Sequence, residues 1–455
     1  MEKRKLVILG AGSAMFTQGL IADLIFNPLG IQWELALVDI DEPVLNTMTK
    51  IAKKMVAQKD ANIQITSSVD RCDVLPDADY VVATIGVGGR RAWEQDVFIP
   101  RKYGVEQPVG DTMMPGGISR AMRMVPVMLD IAKDIERLCP DAYFLNYSNP
   151  MAIICRALDK SGYDTIGLCH SYFQIENYLA DFLGVDQKKF RAYGVGLNHL
   201  CFFFDMRFDG KDVSPMLREK YMAMKKKGLV YEQAGPLWFD EFDHSRNQTM
   251  EPFAFEIFER YNAFPCAGDR HITEFFTEYF PGGQYYGKIL GRDAFSFERC
   301  IEFGDLAYDE MFELADSDEP IPENMFAKAE GEHEQLMDII NCFEYDVPGI
   351  FGAIVPNKGA VPNLPPYASL EMSCVANARG MQQIYTPDFP DVLAGILNKH
   401  LSIVEVSVDA ALKGDRELFV EAILMGGYIS DRSAVEKMVG ELIEAHKPDL
   451  PQFNL

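Results

Sequence analysis

Short apolar segments that alternate with helical patterns dominate the first part of the chain. Strand-like apolar runs lie at residues 5–9, 35–41, 80–85, 142–145 and 165–168. Apolar positions recur at helical spacing in the segments between them, most clearly at 118–138 and 150–159. Strands that alternate with helices predict a parallel sheet covered by helices on both faces.

The pattern changes after about residue 195. Segments 202–208 and 355–364 predict strands, whereas 251–261, 299–314 and most of 388–446 predict helices. We therefore predict a Rossmann-like, doubly wound α/β domain over residues 1–195, followed by an α+β domain over residues 196–455. This organisation is like that of lactate and malate dehydrogenases.

Composition narrows the class of protein. The 455 residues are 48% hydrophobic, which excludes a disordered chain. A formal net charge of -25 argues against nucleic acid as a partner, because nucleic-acid binders need a cationic face. No apolar run approaches the roughly 20 residues of a membrane span, and no signal peptide is visible. Nine scattered cysteines without a CxxC pair predict free thiols and a cytoplasmic location.

The turn after the first strand, Gly10-Ala-Gly12-Ser13, contains the first two glycines of a dinucleotide-binding fingerprint, with Met15 at the third position. A plain glycine turn in another doubly wound fold is the alternative. Asp39 closes the second strand, where it would accept from a ribose hydroxyl and repel a 2′-phosphate, so NAD is preferred over NADP. The predicted cofactor-binding residues are Gly10, Gly12, Ser13, Met15, Phe16, Asp39, Thr84 and Gly86.

Polar residues follow several later strands. Asn149 precedes Pro150 after one strand, where it either faces the ligand crevice or only begins a helix. Cys169 and His199 each lie at the edge of a loop. Thiolate and imidazole suit a divalent transition metal, with substrate or water completing its coordination, although such a separated pair can also be structural.

A short segment, Gly268-Asp269-Arg270-His271-Ile-Thr-Glu274, concentrates four ionisable groups. In the functional interpretation Asp269 is a general base and Arg270 binds an anion. In the structural interpretation Asp269 caps a helix and Glu274 is a solvated helix residue. The sequence alone leaves both open.

These motifs, in this order along the chain, resemble glycoside hydrolase family 4. The matching segments are Gly10-x-Gly12-Ser13, Gly110-Asp111-Thr112-x-x-Pro115-Gly116-Gly117, Asn146-Tyr-x-Asn149-Pro150, Cys169-His170-Ser171, Gly196-x-Asn198-His199 and Gly268-Asp269-Arg270-His271. The resemblance covers residues 5 to at least 359. It implies an NAD- and Mn(II)-dependent glycosidase, an exception to the two-carboxylate scheme of most glycosidases. Hydride leaves sugar carbon 3, a base takes the proton on carbon 2, the glycosidic oxygen is eliminated, water adds and the hydride returns.

The resemblance also implies roles for individual residues. Cys169 and His199 would bind the metal, and Asp269 would be the base. The acid is either His170 or Asp111. The substrate-binding residues would be Asn149, Arg270, His271 and Arg91.

The substrate and assembly are also implied by the resemblance. The segment at 267–271 is most similar to the α-galacturonidase branch, in which Arg270 would pair with a uronate carboxylate. An α-glucosidase or α-galactosidase is the alternative within the family, and an NAD-dependent hydroxy-acid dehydrogenase or an inactive NAD sensor are alternatives outside it. A homodimer or homotetramer is expected. Both ligands are anions entering an acidic chain, so the helix N-terminus after Gly12, the bound metal and Arg270 would have to hold them, with Arg90 and Arg91 as secondary donors.

Overall fold

The computed structural model describes residues 2–14, 16–229, 250–327 and 335–453. Fifteen strands are described. They are β1 (Lys3–Leu9), β2 (Gln32–Val38), β3 (Ile63–Ser68), β4 (Tyr80–Ala83), β5 (Tyr143–Asn146), β6 (Ile166–Gly167), β7 (Phe190–Leu197), β8 (Leu200–Phe208), β9 (Lys211–Asp212), β10 (Phe264–Pro265), β11 (Gln284–Tyr285), β12 (Lys288–Ile289), β13 (Gly349–Pro356), β14 (Ser369–Asn377) and β15 (Gly380–Gln383).

The described helices alternate with strands in the first part of the chain and cluster later. They are α1 (Thr17–Phe26), α2 (Glu42–Gln58), α3 (Gly89–Lys102), α4 (Pro115–Leu138), α5 (Met151–Lys160), α6 (His170–Leu183), α7 (Ser214–Lys226), α8 (Pro252–Tyr261), α9 (Asp269–Ile272), α10 (Phe297–Asp316), α11 (Glu323–Ala327), α12 (Leu336–Tyr345), α13 (Asp391–Lys413), α14 (Arg416–Gly426) and α15 (Arg432–Ala445). Short 3-10 turns join some of them.

Six strands form the parallel half of a 13-stranded sheet, in the order β6-β5-β4-β1-β2-β3. This is the order of a doubly wound dinucleotide-binding fold, which confirms the predicted fold class. The second half of β1, residues 6–9, and the whole of β4 are buried apolar runs because helices cover both faces of such a sheet. The helix α2 begins where Asp41 accepts a hydrogen bond from the Val44 N–H, with Pro43 in the first turn.

The sheet continues as antiparallel strands beyond β6, in the order β13-β14-β7-β8-β10. The helix α13 packs against α4 and α5, so the later part of the chain shares a core with the first. The boundary placed at residue 195 lies inside β7 and stays a prediction. All nine cysteines are free, as predicted. No helix in the described ranges combines the length and apolarity needed to cross a membrane.

The predicted segments were confirmed except in one place. Helices cover the segments predicted at 118–138, 150–159, 251–261 and 299–314, and β8 covers 202–208. The strand predicted at 355–364 is wrong, because β13 ends at Pro356. The chain then turns through Lys358 and Gly359, both with positive φ, and the Asn357 side chain donates to the carbonyls of Val361 and Leu364.

Candidate active site

Four side chains with metal-binding atoms converge beside the carboxyl end of β6. One such atom from each of Asp111, His199 and His271 lies within 4.8 Å of the others. Cys169 Sγ lies 3.6 Å from His199 Nε2, and the His199 and His271 ring centroids are 3.9 Å apart. We call these four residues the donor cluster. Cys169 and His199, the predicted metal pair, are neighbours, and two residues predicted for other roles join them.

The turn between β7 and β8 presents His199. Its φ is 66°, in the left-handed region that few non-glycine residues adopt. Its Nδ1 lies 2.9 Å from the Thr112 Oγ1, which itself donates to Asp111 Oδ1 at 2.9 Å. Because the hydroxyl has one hydrogen, it accepts from a protonated Nδ1, and the lone pair of Nε2 then faces Cys169. Thr112 therefore sets the tautomer of His199 that can bind a metal.

Two glycines bring the Asp111 loop against the start of α4. A Cβ on Gly117 would lie 2.4 Å from the Thr112 carbonyl carbon, and a Cβ on Gly116 would lie 2.7 Å from the Gly110 oxygen. Side chains at these positions would push the loop away from the helix. The Pro-Gly-Gly segment of the motif thus places Asp111 and Thr112 beside His199.

Cys169 immediately precedes α6, after the short strand β6. Its Sγ lies 3.0 Å from the Ser171 hydroxyl. Burial raises the pKa of the thiol to about 12, and the nearby Glu371 carboxylate adds to the effect. A buried thiol gives up its proton when a cation compensates the charge of the thiolate. The position suits a metal ligand better than an unaided nucleophile.

The imidazoles of the site are held in their neutral form. Burial lowers the pKa of His199 to about 4 and lowers the pKa of His271 well below its usual value. His170, the first residue of α6, is close enough to add to both effects, and burial also lowers its own pKa. The His271 Nδ1 is buried and has no hydrogen-bond partner among the described residues. Neutral imidazole is the form that binds a metal.

Asn149 connects the donor cluster to the carboxyl end of β5. Its Nδ2 donates to Asp111 Oδ2 at 3.2 Å, and its backbone carbonyl accepts from Arg120 Nε at 3.0 Å. Asn149 also accepts from the Met151 N–H at the start of α5. Both interpretations of the Asn149-Pro150 segment therefore describe the same residue, which begins a helix and faces Asp111.

Asp269 is fully buried and caps a helix, although not its own. Its two carboxylate oxygens accept from the N–H groups of Phe253 and Ala254 at 2.8 Å each, at the start of α8. Oδ2 also accepts from the Tyr285 hydroxyl at 2.7 Å. Burial raises the pKa of Asp269 to about 6, opposed by these bonds. The structural interpretation of Asp269 thus has direct support.

Arg270 is buried beside the donor cluster. Its Nη2 lies 3.6 Å from the Cys300 Sγ, and its positive charge contributes to the lowered pKa of His199. Arg91 lies elsewhere, at the exposed start of α3, where its guanidinium pairs with Glu94 and Asp305. The structure therefore brings Arg270 to the site and places Arg91 beside α10.

Glu274 and Glu371 contact groups next to the donor cluster, and neither role was predicted from the sequence. Glu274 is fully buried, and its Oε1 accepts from the N–H groups of Val109 at 3.0 Å and Gly110 at 2.7 Å. Its interpretation as a solvated helix residue is wrong. Burial raises the pKa of Glu371 to about 8, while the nearby Asn198 side chain and His199 N–H lower it. A glutamate inside the buried strand β14 was the one signal for Glu371.

The dinucleotide turn lies at the carboxyl end of β1. A Cβ on Gly12 would lie 2.5 Å from Val44 Cγ1 and 2.7 Å from Asp39 Oδ2, so only glycine fits. The Gly12 N–H donates to Asp39 Oδ2 at 2.8 Å, which ties the end of β2 to the turn. The remaining predicted residues lie close by. The Ser13 Oγ accepts from the Phe16 N–H, Thr84 Oγ1 donates to the Gly10 carbonyl, Gly86 follows β4, and Met15 lies outside the described residues.

Family models cover most of the chain. The model described as Family 4 glycosyl hydrolase matches residues 5–185, and the model of its C-terminal domain matches residues 194–426. The chain belongs to glycosyl hydrolase family 4. The resemblance inferred from the motifs is confirmed.

Relatives of this family 4 protein differ in their substrates. An alpha-galactosidase of Bacillus subtilis is 27% identical over 99% of this chain and 100% of the relative. An alpha-glucosidase of Erwinia rhapontici is 28% identical over 98% of each chain. An alpha-galacturonidase of Bacillus subtilis is 27% identical over 98% of each chain. Identities this similar do not separate the three sugars.

Solved structures share the fold. A 6-phospho-alpha-glucosidase from gut microorganisms, in complex with NAD and glucose-6-phosphate, aligns with a TM-score of 0.84 at 23% identity over 99% of this chain and 100% of that chain. A second 6-phospho-alpha-glucosidase structure, in complex with NAD and Mn2+, aligns with a TM-score of 0.82 at 20% identity over 98% and 99% of the two chains. The family 4 fold therefore extends over the whole length.

Proposed function

We propose that this family 4 enzyme is an exo-acting α-glycosidase that hydrolyses unphosphorylated α-galacturonides. It would use NAD and a divalent transition metal, for which Mn(II) is the first candidate. The observation that carries the proposal is the donor cluster beside the carboxyl end of β6, in the same sheet edge as the Gly10–Gly12 turn. Ligands of open α/β sheets bind at this edge. A redox cofactor and a Lewis acid could therefore act on one sugar.

The residues present fit both groups. A thiol, two neutral imidazoles and a carboxylate suit Mn(II) or a similar ion, and the buried Nδ1 of His271 supports its inclusion beside Cys169, His199 and Asp111. The glycine turn with Asp39 suits NAD. When bound, NAD would supply reversible hydride acceptance at sugar carbon 3, and the metal would supply Lewis acidity toward the oxygen on that carbon.

Proton transfer is the role we propose for Asp111, His170 and Asp269. Asp111, a member of the donor cluster, accepts a hydrogen bond from Asn149, the proposed substrate contact. His170 follows Cys169 directly and enters the same space. Asp269 would act as the base only if substrate displaces one of its hydrogen bonds, because both oxygens are engaged. The acid is assigned to Asp111 or His170.

The choice of a uronate follows from Arg270. A guanidinium buried beside the donor cluster suits a carboxylate on the sugar, since it presents two parallel N–H donors. The similarity to an alpha-galacturonidase supports this choice. The similarity to an alpha-galactosidase and an alpha-glucosidase supports a neutral hexose as the second candidate.

The substrate assignment can be tested with the purified protein supplied with NAD, Mn(II) and a thiol reductant. We expect galacturonate to be released from digalacturonate, with little hydrolysis of nitrophenyl α-glucoside or α-galactoside. Hydrolysis of a neutral glycoside without release from digalacturonate would replace the uronate with the second candidate. Activity toward none of the three would contradict the proposed function.

The reaction class is tested by isotope exchange in heavy water. Proton abstraction predicts deuterium at carbon 2 of the product sugar, with no net formation of NADH. A hydroxy-acid dehydrogenase would accumulate NADH only in parallel samples supplied with a hydroxy acid as the hydride donor, and an inactive NAD sensor would give neither signal in either set. The two sets of samples together separate all three classes.

Replacing Arg270 with alanine should raise the KM for digalacturonate by about 10- to 100-fold, because a charged hydrogen bond contributes roughly 1.5–3 kcal/mol. The KM of Arg270→Lys should lie between that of the unmodified enzyme and that of Arg270→Ala, since lysine keeps the charge without the paired donors. Arg260→Ala, on the exposed side of α8, is the matched control and should leave KM unchanged. Equal KM values for Arg270→Ala and the unmodified enzyme would remove the carboxylate assignment.

A further inference from the structure

The helix α10 bridges two helices of the dinucleotide-binding half. At its carboxyl end, Lys50 of α2 pairs with Asp316 at 2.7 Å, and Lys54 Nζ donates to the Leu314 carbonyl at 2.8 Å. Near the middle of the helix, Arg90 of α3 pairs with Asp305 at 2.8 Å. One helix from the later part of the chain is therefore fastened to both α2 and α3.

The topology places the dinucleotide turn beneath this helix. The helix α2 follows β2 and the helix α3 follows β4, and β1 lies between these two strands in the sheet. The turn at 10–13 leaves the carboxyl end of β1 at the same edge. A helix that spans from α2 to α3 must therefore pass over the turn.

Tyr308 is the side chain of α10 that faces the turn. Burial raises the pKa of Tyr308, and the Asp39 carboxylate adds to the effect while Arg90 and the Ala14 N–H oppose it. These neighbours belong to the turn, to the end of β2 and to the start of α3. Tyr308 thus lies where three elements of the proposed NAD site meet.

Arg90 packs against both the Tyr308 ring and the backbone of α10 at Gly304. Its guanidinium carbon is 4.0 Å from the centroid of the Tyr308 ring. A Cβ on Gly304 would lie 2.8 Å from Arg90 Cδ, so the glycine makes room for the arginine stem. A guanidinium stacked on an aromatic ring is preorganised and weakly hydrated, which suits a phosphate partner. The position of the Arg90 side chain is therefore fixed by Tyr308 and Gly304.

We propose that α10 forms a third wall of the NAD site, with Arg90 directed at the pyrophosphate and Tyr308 at the adenosine half. The inference rests on the proposed NAD dependence. It answers how an anion with two phosphate charges is held by a chain of net charge -25. The donors are the amino end of α1, whose first turn has no acidic residue, and a cation fixed by the second half of the chain.

The test measures the equilibrium binding of NAD and of ADP-ribose by calorimetry in the absence of substrate. Arg90→Ala and Tyr308→Leu should each weaken the binding of NAD by about 10- to 100-fold. The binding of ADP-ribose should weaken equally, because ADP-ribose keeps the adenosine and the pyrophosphate. Arg432→Ala removes an exposed arginine of α15 that pairs only with neighbouring glutamates, and it should leave both affinities unchanged.

A second variant separates this contact from loss of folding. Gly304→Ala keeps the charge of Arg90 but adds a methyl group where the arginine stem lies, and alanine has a higher helix propensity than glycine. It should weaken NAD binding without lowering the thermal unfolding temperature. NAD should also slow amide hydrogen exchange in peptides covering 297–316, and Mn(II) alone should not.

The outcomes distinguish the inference from the proposed function. If the unmodified protein does not bind NAD, the proposed function fails. If it binds NAD while Arg90→Ala, Tyr308→Leu and Gly304→Ala bind with unchanged affinity and exchange in α10 is unaffected, the proposed function stands and the third wall is excluded.

Discussion

Replacing Cys169 with serine is expected to lower the hydrolytic rate by at least about 100-fold and to weaken Mn(II) binding in parallel. Loss of a residue that only orients a metal ligand typically costs 10- to 100-fold, so loss of a ligand should cost no less. Serine keeps the size and the hydrogen bond to Ser171 but offers a poor ligand to a transition metal. The rate is measured on the substrate identified above, and metal affinity is measured by titration.

Cys72→Ser is the matched control. Cys72 contacts Arg137 near the carboxyl end of α4, away from the donor cluster, so its replacement should change neither rate nor affinity. Unchanged Mn(II) affinity in Cys169→Ser would remove Cys169 from the ligand set, whatever happens to the rate. The unfolding temperature of both variants checks that the fold is retained.

Two members of the donor cluster, Cys169 and His199, could be predicted from the sequence because each lies at the edge of a loop beside a predicted strand. The membership of Asp111 and His271 could not be predicted, because it depends on loops that meet only in the folded chain. The local sequence identifies residues whose side chains can bind a metal, and long-range packing decides which of them share a site.

Asp269 illustrates the same limit in the opposite direction. A carboxylate behind a glycine is compatible with both a base and a helix cap, and the sequence does not separate the two. Its contacts to Phe253 and Tyr285 lie 16 residues away on either side, so only the fold shows that both oxygens are engaged. The direct hydrogen bonds support the helix-cap interpretation.

Five of the six parallel strands were predictable because strands buried on both faces are largely apolar. The edge strand β3, with the half-polar sequence IQITSS, was not predicted. The strand β14 was not predicted, although seven of its nine residues are buried. It contains Glu371 and Ser373, whose burial depends on distant partners. The Ser373 hydroxyl lies 2.7 Å from that of Tyr172, 201 positions earlier in the chain. A buried strand that contains polar residues can therefore be recognised only once the partners of those residues are known.

A fully buried ion pair joins α3 to α4. The Arg123 guanidinium donates to both oxygens of Asp96, at 3.0 and 2.5 Å, and neither side chain is exposed to solvent. His446, just after α15, contacts Asp96 Oδ1 at 2.9 Å. Arg123 Nε also donates to the carbonyl of Val87 in the loop after β4. The network therefore holds three helices and a loop of the proposed NAD site.

Asp96→Asn is expected to lower the free energy of unfolding by about 3–5 kcal/mol, because it leaves the charge of Arg123 buried and uncompensated. Burial alone would raise the pKa of Asp96, but Arg123 and His446 lower it. A carboxyl whose folded pKa is lowered stabilises the protein above its unfolded pKa of about 3.9 and loses that contribution as the pH falls through the folded value. The difference should therefore persist at neutral pH and shrink only in acid.

Urea unfolding of the variant beside Asp130→Asn gives the comparison. Asp130 also pairs with an arginine, Arg71, but its side chain is 66% exposed, so its replacement should cost less than about 1 kcal/mol. The two variants remove the same group from the same kind of pair and differ in burial. Equal effects would mean that burial does not set the contribution of the Asp96 pair.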